Sequence, residues 1–198
     1  MARPSKFDRE AVIETAMQEI WRSGYEATSV KAMSEKLGMT RSSYYNAFGS
    51  REDLFKETLA AYFAQSPDRA LYDDPGATSI RALLTCTFRA ACAARAGDPE
   101  GRGCMAINAL CELVGGPETE LSGMMVSAVL SSARRFEELL RIGVARGELP
   151  DTTDCHGNAL ALQSLLVGIN AMSKAVRAEE DLWLAARTTL GALGLLEE

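Results

Sequence analysis

The chain of 198 residues carries 21 Lys and Arg against 27 Asp and Glu, a net charge of −6, with one His and five Cys. That length allows one ordinary domain or a small head on a larger body, and the acidic balance excludes a polyanion binder that works by bulk charge alone. No run of about 18 apolar residues and no signal-type start occurs, so cytoplasmic residence without a membrane partner is expected, and an odd cysteine count in that setting reads as free thiols.

Residues 1–6 are basic and proline-broken, which reads as a frayed terminus or as an arm along a phosphate backbone. Residues 7–24 form an amphipathic helix with Val12, Ile13, Ala16, Met17 and Ile20 on one face. Thr28 and Ser29 stand where they can cap a second helix, whose apolar stripe is Val30, Met33 and Leu37. Gly38, just past its end, tolerates the left-handed backbone that reverses the chain. Thr40 then caps a third helix over residues 41–47. Met39, Tyr44 and Phe48 look inward, while Arg41, Ser42, Ser43, Tyr45 and Asn46 crowd polar groups into barely two turns.

A helix that short is stable only when packed on its neighbours, so its polar face stays free to enter a major groove. Arg41 suits a guanine edge or a phosphate, Ser42 and Ser43 either, and Tyr45 a phosphate oxygen or a thymine methyl. A small polar surface helix in an ordinary helical protein is the competing reading. Residues 1–62 hold nine basic and nine acidic side chains, whereas residues 63–198 hold twelve and eighteen, so the second part carries the whole net charge. Locally, Arg3, Lys6, Arg9, Lys31, Arg41 and Arg51 can gather on one face.

Past Ser66-Pro67-Asp68 the pattern stays helical, with no alternating β-branched run and no hairpin turn. Five more helices are expected over residues 79–95, 104–114, 118–146, 156–177 and 180–195, separated mostly by Gly- and Pro-bearing breaks. With the four before them they make nine. The last two carry Leu160, Leu162, Leu165, Leu166, Ile169 and Met172, then Leu182, Trp183, Ala186, Leu190 and Leu193, too apolar a set to face water. Either they form a four-helix bundle with a second copy, for which Leu162, Leu165, Leu166, Ile169, Trp183 and Leu190 are the expected contacts, or they complete an internal core.

The run Gly24-Tyr25-Glu26-Ala27-Thr28-Ser29-Val30, Leu37-Gly38-Met39, Tyr44-Tyr45, Phe48-Gly49-Ser50-Arg51 and Leu54-Phe55 resembles, in order and without gaps, the N-terminal domain of TetR-family transcriptional regulators. The resemblance covers about the first 62 residues. It implies an all-α, nine-helix protein with a helix-turn-helix DNA-binding domain at residues 1–62, and an effector-binding and dimerisation domain at residues 63–198. It also implies a homodimer that represses a gene from a palindromic double-stranded operator until a small molecule releases it. Carried over by position, DNA contacts fall on Lys31, Thr40, Arg41, Ser42, Ser43, Tyr45, Asn46 and Arg51, with Thr28 and Ser29 near the backbone. Ala47 departs from the pattern, because many relatives carry a DNA-touching histidine there.

The effector end rests on fewer residues. Cys104 stands at a helix start two residues after Arg102, a setting that favours a reactive thiolate, and Cys111 follows seven residues on. The stretch from Arg102 to Leu113 resembles a subgroup of TetR-type regulators that share this cysteine, some of them answering electrophiles or oxidants. Two alternatives stand beside thiol sensing. One is that these are small buried core cysteines. The other is a non-covalent apolar ligand among Met105, Leu110, Met124, Met125, Val129 and Phe136, with Asn108 or Asn170 as polar handles. Cys155-His156 is adjacent rather than spaced like zinc ligands, so neither metal nor cofactor is expected. A helical enzyme lacks every local catalytic motif here, and a protein-only adaptor leaves the polar third helix without a purpose.

Overall fold

The computed structural model describes residues 8–197, and among them the chain forms nine α-helices, one short 3-10 turn and no strand. They are α1 (Arg9–Ser23), α2 (Val30–Lys36), α3 (Arg41–Phe48), α4 (Arg51–Ala64), α5 (Ile80–Ala96), α6 (Met105–Leu113), α7 (Glu120–Ala145), α8 (Cys155–Met172) and α9 (Glu179–Ala192). The expected basic arm with Arg3 and Lys6, and Phe7 as the start of the first helix, lie outside the described residues.

The short N-terminal helices are defined by their caps. Asp8 accepts from the amides of Glu10 and Ala11, Ser29 from Ala32 at 3.1 Å, and Thr40 from Ser43 at 3.1 Å. Ser50 and Asp53 cap α4 reciprocally, and the Ser50 hydroxyl and amide hold the Asp53 carboxyl below the usual range. Each such cap is worth about 1 kcal/mol, a large share for a helix of two turns. Gly38, at φ +64°, makes the reversal between α2 and α3.

Two apolar clusters fill the molecule. The first gathers Ala16, Met17, Ile20, Met33, Tyr44, Phe48, Leu54, Phe55 and Leu59 from the head, yet it also contains Cys104, Met105 and Ala109 from the start of α6 and Leu121 and Met125 from α7. The head therefore has no core of its own; α6 and the first turns of α7 complete it. The second cluster lies between α5, α7, α8 and α9, where Phe88 stacks on Phe136 with centroids 6.0 Å apart.

Several boundaries differ from the sequence reading. Thr119 and Ser122 form a capping box, so α7 starts at Glu120. Helix α8 ends at Met172, where the Ser173 hydroxyl turns back to the Asn170 carbonyl, and does not run on to Arg177. The 3-10 turn Arg69–Tyr72 is too short to announce itself by periodicity. A larger correction concerns the expected dimer face: Leu162, Leu166, Ile169 and Leu190 are at most 5% exposed and belong to the internal core. Leu165 and Trp183 are half-buried, the latter beneath the Arg89 guanidinium at 5.2 Å. The apolar side chains that do reach the surface of these helices are Leu160, Met172 and Leu184, each nearly half exposed.

Tyr44 is fully buried in the head, and its hydroxyl has no hydrogen-bond partner. Burial pushes its phenol up to about 12. An acid held neutral in the folded state favours unfolding once pH passes its ordinary value near 10. Tyr44→Phe is thus expected to leave stability at neutral pH unchanged or raise it by up to about 1 kcal/mol, and to flatten the loss of stability between about pH 10 and 12. Denaturant titrations across that range check both.

Candidate DNA-reading face and effector cavity

On the head, Arg41, Ser42, Ser43, Tyr45 and Asn46 are all exposed along one side of α3, and Lys31 of α2 is exposed as well. Tyr44 and Phe48 anchor the opposite side in the core, with ring centroids 5.6 Å apart. A polar helix pinned by two aromatics can present its outer face without bending. Thr40 and Ser29 are exposed, with their hydroxyls engaged as caps.

Three expected cations and hydroxyls are placed otherwise. Thr28 is only 5% exposed, and its hydroxyl donates to the Tyr25 carbonyl at 2.8 Å, so it closes the turn before α2 instead of capping that helix or facing a phosphate. Arg51 lies over the Tyr25 ring at 4.0 Å and pairs with Glu26 at 3.5 Å, which fastens the start of α4 to the same turn. Arg9 leans over Phe48, pairs with Glu57 at 2.6 Å and donates to the Ala47 carbonyl at the end of α3. A guanidinium that already has a carboxylate and a ring serves the head's structure first.

Helix α6 ties the head to the body. At its C-terminal end the Glu112 carboxylate accepts from the amides of Tyr25 and Glu26 at 2.9 and 2.8 Å. Gly24, at φ +85°, makes room for it, because a Cβ there would stand 2.9 Å from a Glu112 oxygen. Just before the helix, Arg102 lies 3.9 Å over the Trp21 ring, donates to Gln18 at 2.5 Å and pairs with Asp98 at 3.0 Å. Burial alone raises the Asp98 carboxyl, but the Arg102 fork and the amides of Arg102 and Glu100 outweigh it and hold it below the usual range. Arg22–Glu100 and Lys56–Glu120 pairs add exposed links of small worth.

Behind this junction a cavity of about 470 Å³ opens between α4, α6, α7 and α8, a size typical of small-molecule sites. Phe63, Ala106, Ile107, Val129, Leu166 and Val167 give it apolar walls, and Tyr62, Cys104, Ser132, Gln163 and Asn170 give it polar ones. Of the side chains expected at the effector, Cys104, Val129 and Asn170 line it. Asn108 instead donates to the Arg102 carbonyl; Cys111 is exposed; Met124 and Met125 pack towards the head; Phe136 is in the body core; Met105 and Leu110 pack with the head. Cys104 is the N-cap residue of α6, 8% exposed, and the Arg102 guanidinium is directed away to Asp98 and Gln18. Sequence reasoning passed over Tyr62, Arg95, Glu112, Ser132 and Gln163. Only Arg95 left a signal there, a charge at the helical spacing of Leu84, Phe88 and Cys92.

A pinned polar helix on a three-helix head, joined to a helical body with a ligand-sized cavity, is the architecture of a helix-turn-helix DNA-binding protein. The bacterial regulatory proteins of the tetR family match at residues 12–58, and the tetracyclin repressor-like C-terminal domain matches at residues 80–189. The chain belongs to the TetR family and is a DNA-binding transcriptional regulator, not an enzyme. It is 28% identical to the HTH-type transcriptional repressor ComR of Escherichia coli over 191 residues, which are 95% of this chain and 90% of ComR. A cysteine-substituted CifR, a TetR-family regulator solved with a 26-base-pair operator duplex, superposes with a TM-score of 0.84 at 32% identity, covering 96% of this chain and 99% of that one. A TetR-family regulator from Cytophaga hutchinsonii shares the fold at 17% identity, with a TM-score of 0.78 over 99% of this chain and 98% of its own. No helix among the described residues is long and apolar enough to cross a membrane.

Arg41→Ala is expected to weaken specific duplex binding by about 1–3 kcal/mol with thermal stability unchanged, whereas Arg51→Ala is expected to lower the melting temperature as well. Fluorescence anisotropy beside calorimetry separates them, and equal operator affinity in Arg41→Ala would remove it from the reading face.

Proposed function

We propose that the protein is a homodimeric repressor that holds a palindromic operator with two copies of α3 and lets go when a small molecule fills the cavity beside α6. The reading faces of the two copies then sit one helical turn of DNA apart, about 34–36 Å. Arg41, Ser42, Ser43, Tyr45, Asn46 and Lys31 make the duplex contacts in this reading, because they form the free polar side of the head. Residues 1–62 act as the reading unit and residues 63–198 as the unit that pairs and senses. Leu160, Met172 and Leu184, with Leu165 and Trp183 between them, supply the pairing face, and the small exposed residues Ser164 and Ala171 of α8 let another helix approach closely.

The observation that carries the effector half is the double attachment of α6. One end, at Cys104, belongs to the cavity wall, and the other, at Glu112, grips the turn that leads into α2. A ligand that moves α6 must move the head, and only a ligand that prefers one of the two positions changes operator affinity. ComR is named a repressor, which supports the sign of regulation assigned here.

Selection from random duplexes is expected to return a palindrome, and a single asymmetric half-site would overturn the dimer. On the selected operator, Glu112→Ala is expected to weaken binding about tenfold, roughly 1.4 kcal/mol, although the residue lies off the reading face. Unchanged affinity would leave α6 without a role in coupling.

Reaction at Cys104 is a second reading, supported by the place of that thiol in the cavity wall and by the cysteine-substituted forms in which CifR was solved on DNA. Because Cys86 and Cys111 are exposed and also open to alkylation, the variant decides. If Cys104 senses electrophiles, N-ethylmaleimide releases the operator from the native chain but not from Cys104→Ser; release in both, or in neither, discards that reading.

A further inference from the structure

Arg95 lies in the last turn of α5 with its side chain turned inward and 4% exposed. Among the described residues no carboxylate comes within ion-pair range of it. Its Nε donates to Asn170 Oδ1 at 2.6 Å and its Nη2 to Tyr62 Oη at 2.8 Å. A guanidinium out of water, held by two neutral oxygens and at the edge of cation–π range of the Tyr62 ring, 6.0 Å away, carries a desolvation cost that these contacts do not fully repay. The nearby C-terminal carbonyls of α5 offset a part of it.

Those two bonds fix what the neighbours can offer. Arginine only donates, so Asn170 must turn its amide oxygen towards Nε and keeps its NH2 group for another partner. Tyr62, whose oxygen accepts from the same cation, has its hydroxyl hydrogen beside the Cys104 thiol, a weak acceptor that a ligand oxygen can replace. Both residues line the cavity, beside Cys104. The cavity thus ends in two donors polarised by one buried positive charge. Further along the same wall, Gln163 Oε1 is buried without a hydrogen-bond partner, as expected of a polar wall whose own complement is a ligand.

The opposite end carries charges of both signs. Asp68, Arg69 and Tyr72 line it, and the last two are exposed, which marks the mouth. An anion passing the exposed, water-screened Arg69 gains most by travelling inward to the donors beside the buried Arg95 charge. We propose that the effector is a monocarboxylate on an apolar body, its carboxylate against Tyr62 and Asn170 in the field of Arg95 and its body along Phe63, Ile107, Val129 and Leu166. This rests on reading the cavity as the effector site and is independent of any chemistry at Cys104.

Calorimetric titration of the full chain with straight-chain acids from hexanoate to laurate, each beside its primary amide, tests it. The amide keeps size and one carbonyl but not the charge. The acid of the preferred length is expected to bind at least tenfold tighter than its amide, and to weaken operator binding in the same concentration range. Tyr62→Phe, which removes one donor and one of the two acceptors of the Arg95 guanidinium but keeps its charge in place, is expected to cut that ratio severalfold, and Arg95→Gln to abolish it. Circular dichroism checks that each variant is folded, and Tyr62→Phe decides alone if Arg95→Gln is not. Ala128→Trp, which fills the cavity, is expected to block acid and amide alike. Equal affinity for acid and amide overturns the carboxylate and leaves the cavity as effector site. No binding by any acid of the series overturns the carboxylate alone, whereas acid binding that survives Ala128→Trp overturns the cavity as its site and the proposal with it.

Discussion

The two carboxylate bonds from Glu112 to the amides of Tyr25 and Glu26 are the constraint on which the rest of the molecule turns, because they make one short helix common to head and body. Helix α6 has nine residues, too few to hold its shape alone. It is ordered because Met105 and Ala109 sit in the head cluster and its start closes the cavity wall. A helix so placed cannot relax towards one side without disturbing the other. The same turn is gripped from α4 as well, where Arg51 lies over Tyr25 and pairs with Glu26. The segment before α2 is therefore fixed by two helices whose other contacts lead into the body, and the reading helix that follows inherits their position.

The energies involved suit a switch more than a rigid strut. A hydrogen bond to a charged group is worth about 1.5–3 kcal/mol and an exposed ion pair about 0–1. At those values the Glu112 bonds, the Arg102 fork and the Arg22–Glu100 and Lys56–Glu120 pairs together come to roughly 5–10 kcal/mol, beside the apolar cluster that head and body share. Taking a two-state equilibrium from almost all bound to almost all released requires about 5.5 kcal/mol of differential affinity. Those polar links are thus of the same order as the free energy that one well-fitted ligand supplies, whereas the aromatic anchors Tyr44 and Phe48 hold α3 on the head without them.

The head was legible in the sequence because its logic is local. Caps at Ser29 and Thr40, the glycine at position 38 and the alternation of Tyr44 and Phe48 with Arg41, Ser42 and Asn46 are all decided within a few residues of each other. Thr28 and Arg51 have other engagements as well: the Thr28 hydroxyl closes a local turn on the Tyr25 carbonyl, and Arg51 lies over the Tyr25 ring, whose position only the tertiary fold determines. The effector end was legible only in part. Cys104 announced itself by its helix start, but Met124, Met125 and Phe136 are ordinary core, and a methionine or phenylalanine at helical spacing looks the same whether it lines a cavity or fills one.

The long apolar helices α8 and α9 show most clearly why burial needs three dimensions. Their leucines are numerous enough for two faces, and the internal face takes Leu162, Leu166, Ile169, Leu182 and Leu190. What remains outside is a sparser set, Leu160, Met172 and Leu184, interspersed with small residues. That distribution is what a helix needs when one side must pack tightly in its own chain and the other must meet a second copy closely without a large sticky surface in the separated chain. Arg95 follows the converse rule. It occupies a core position in an apolar stripe, at a cost the fold alone does not repay, and its two neutral partners both face the one cavity in reach. A charge kept there makes physical sense if its counterpart arrives from outside the chain.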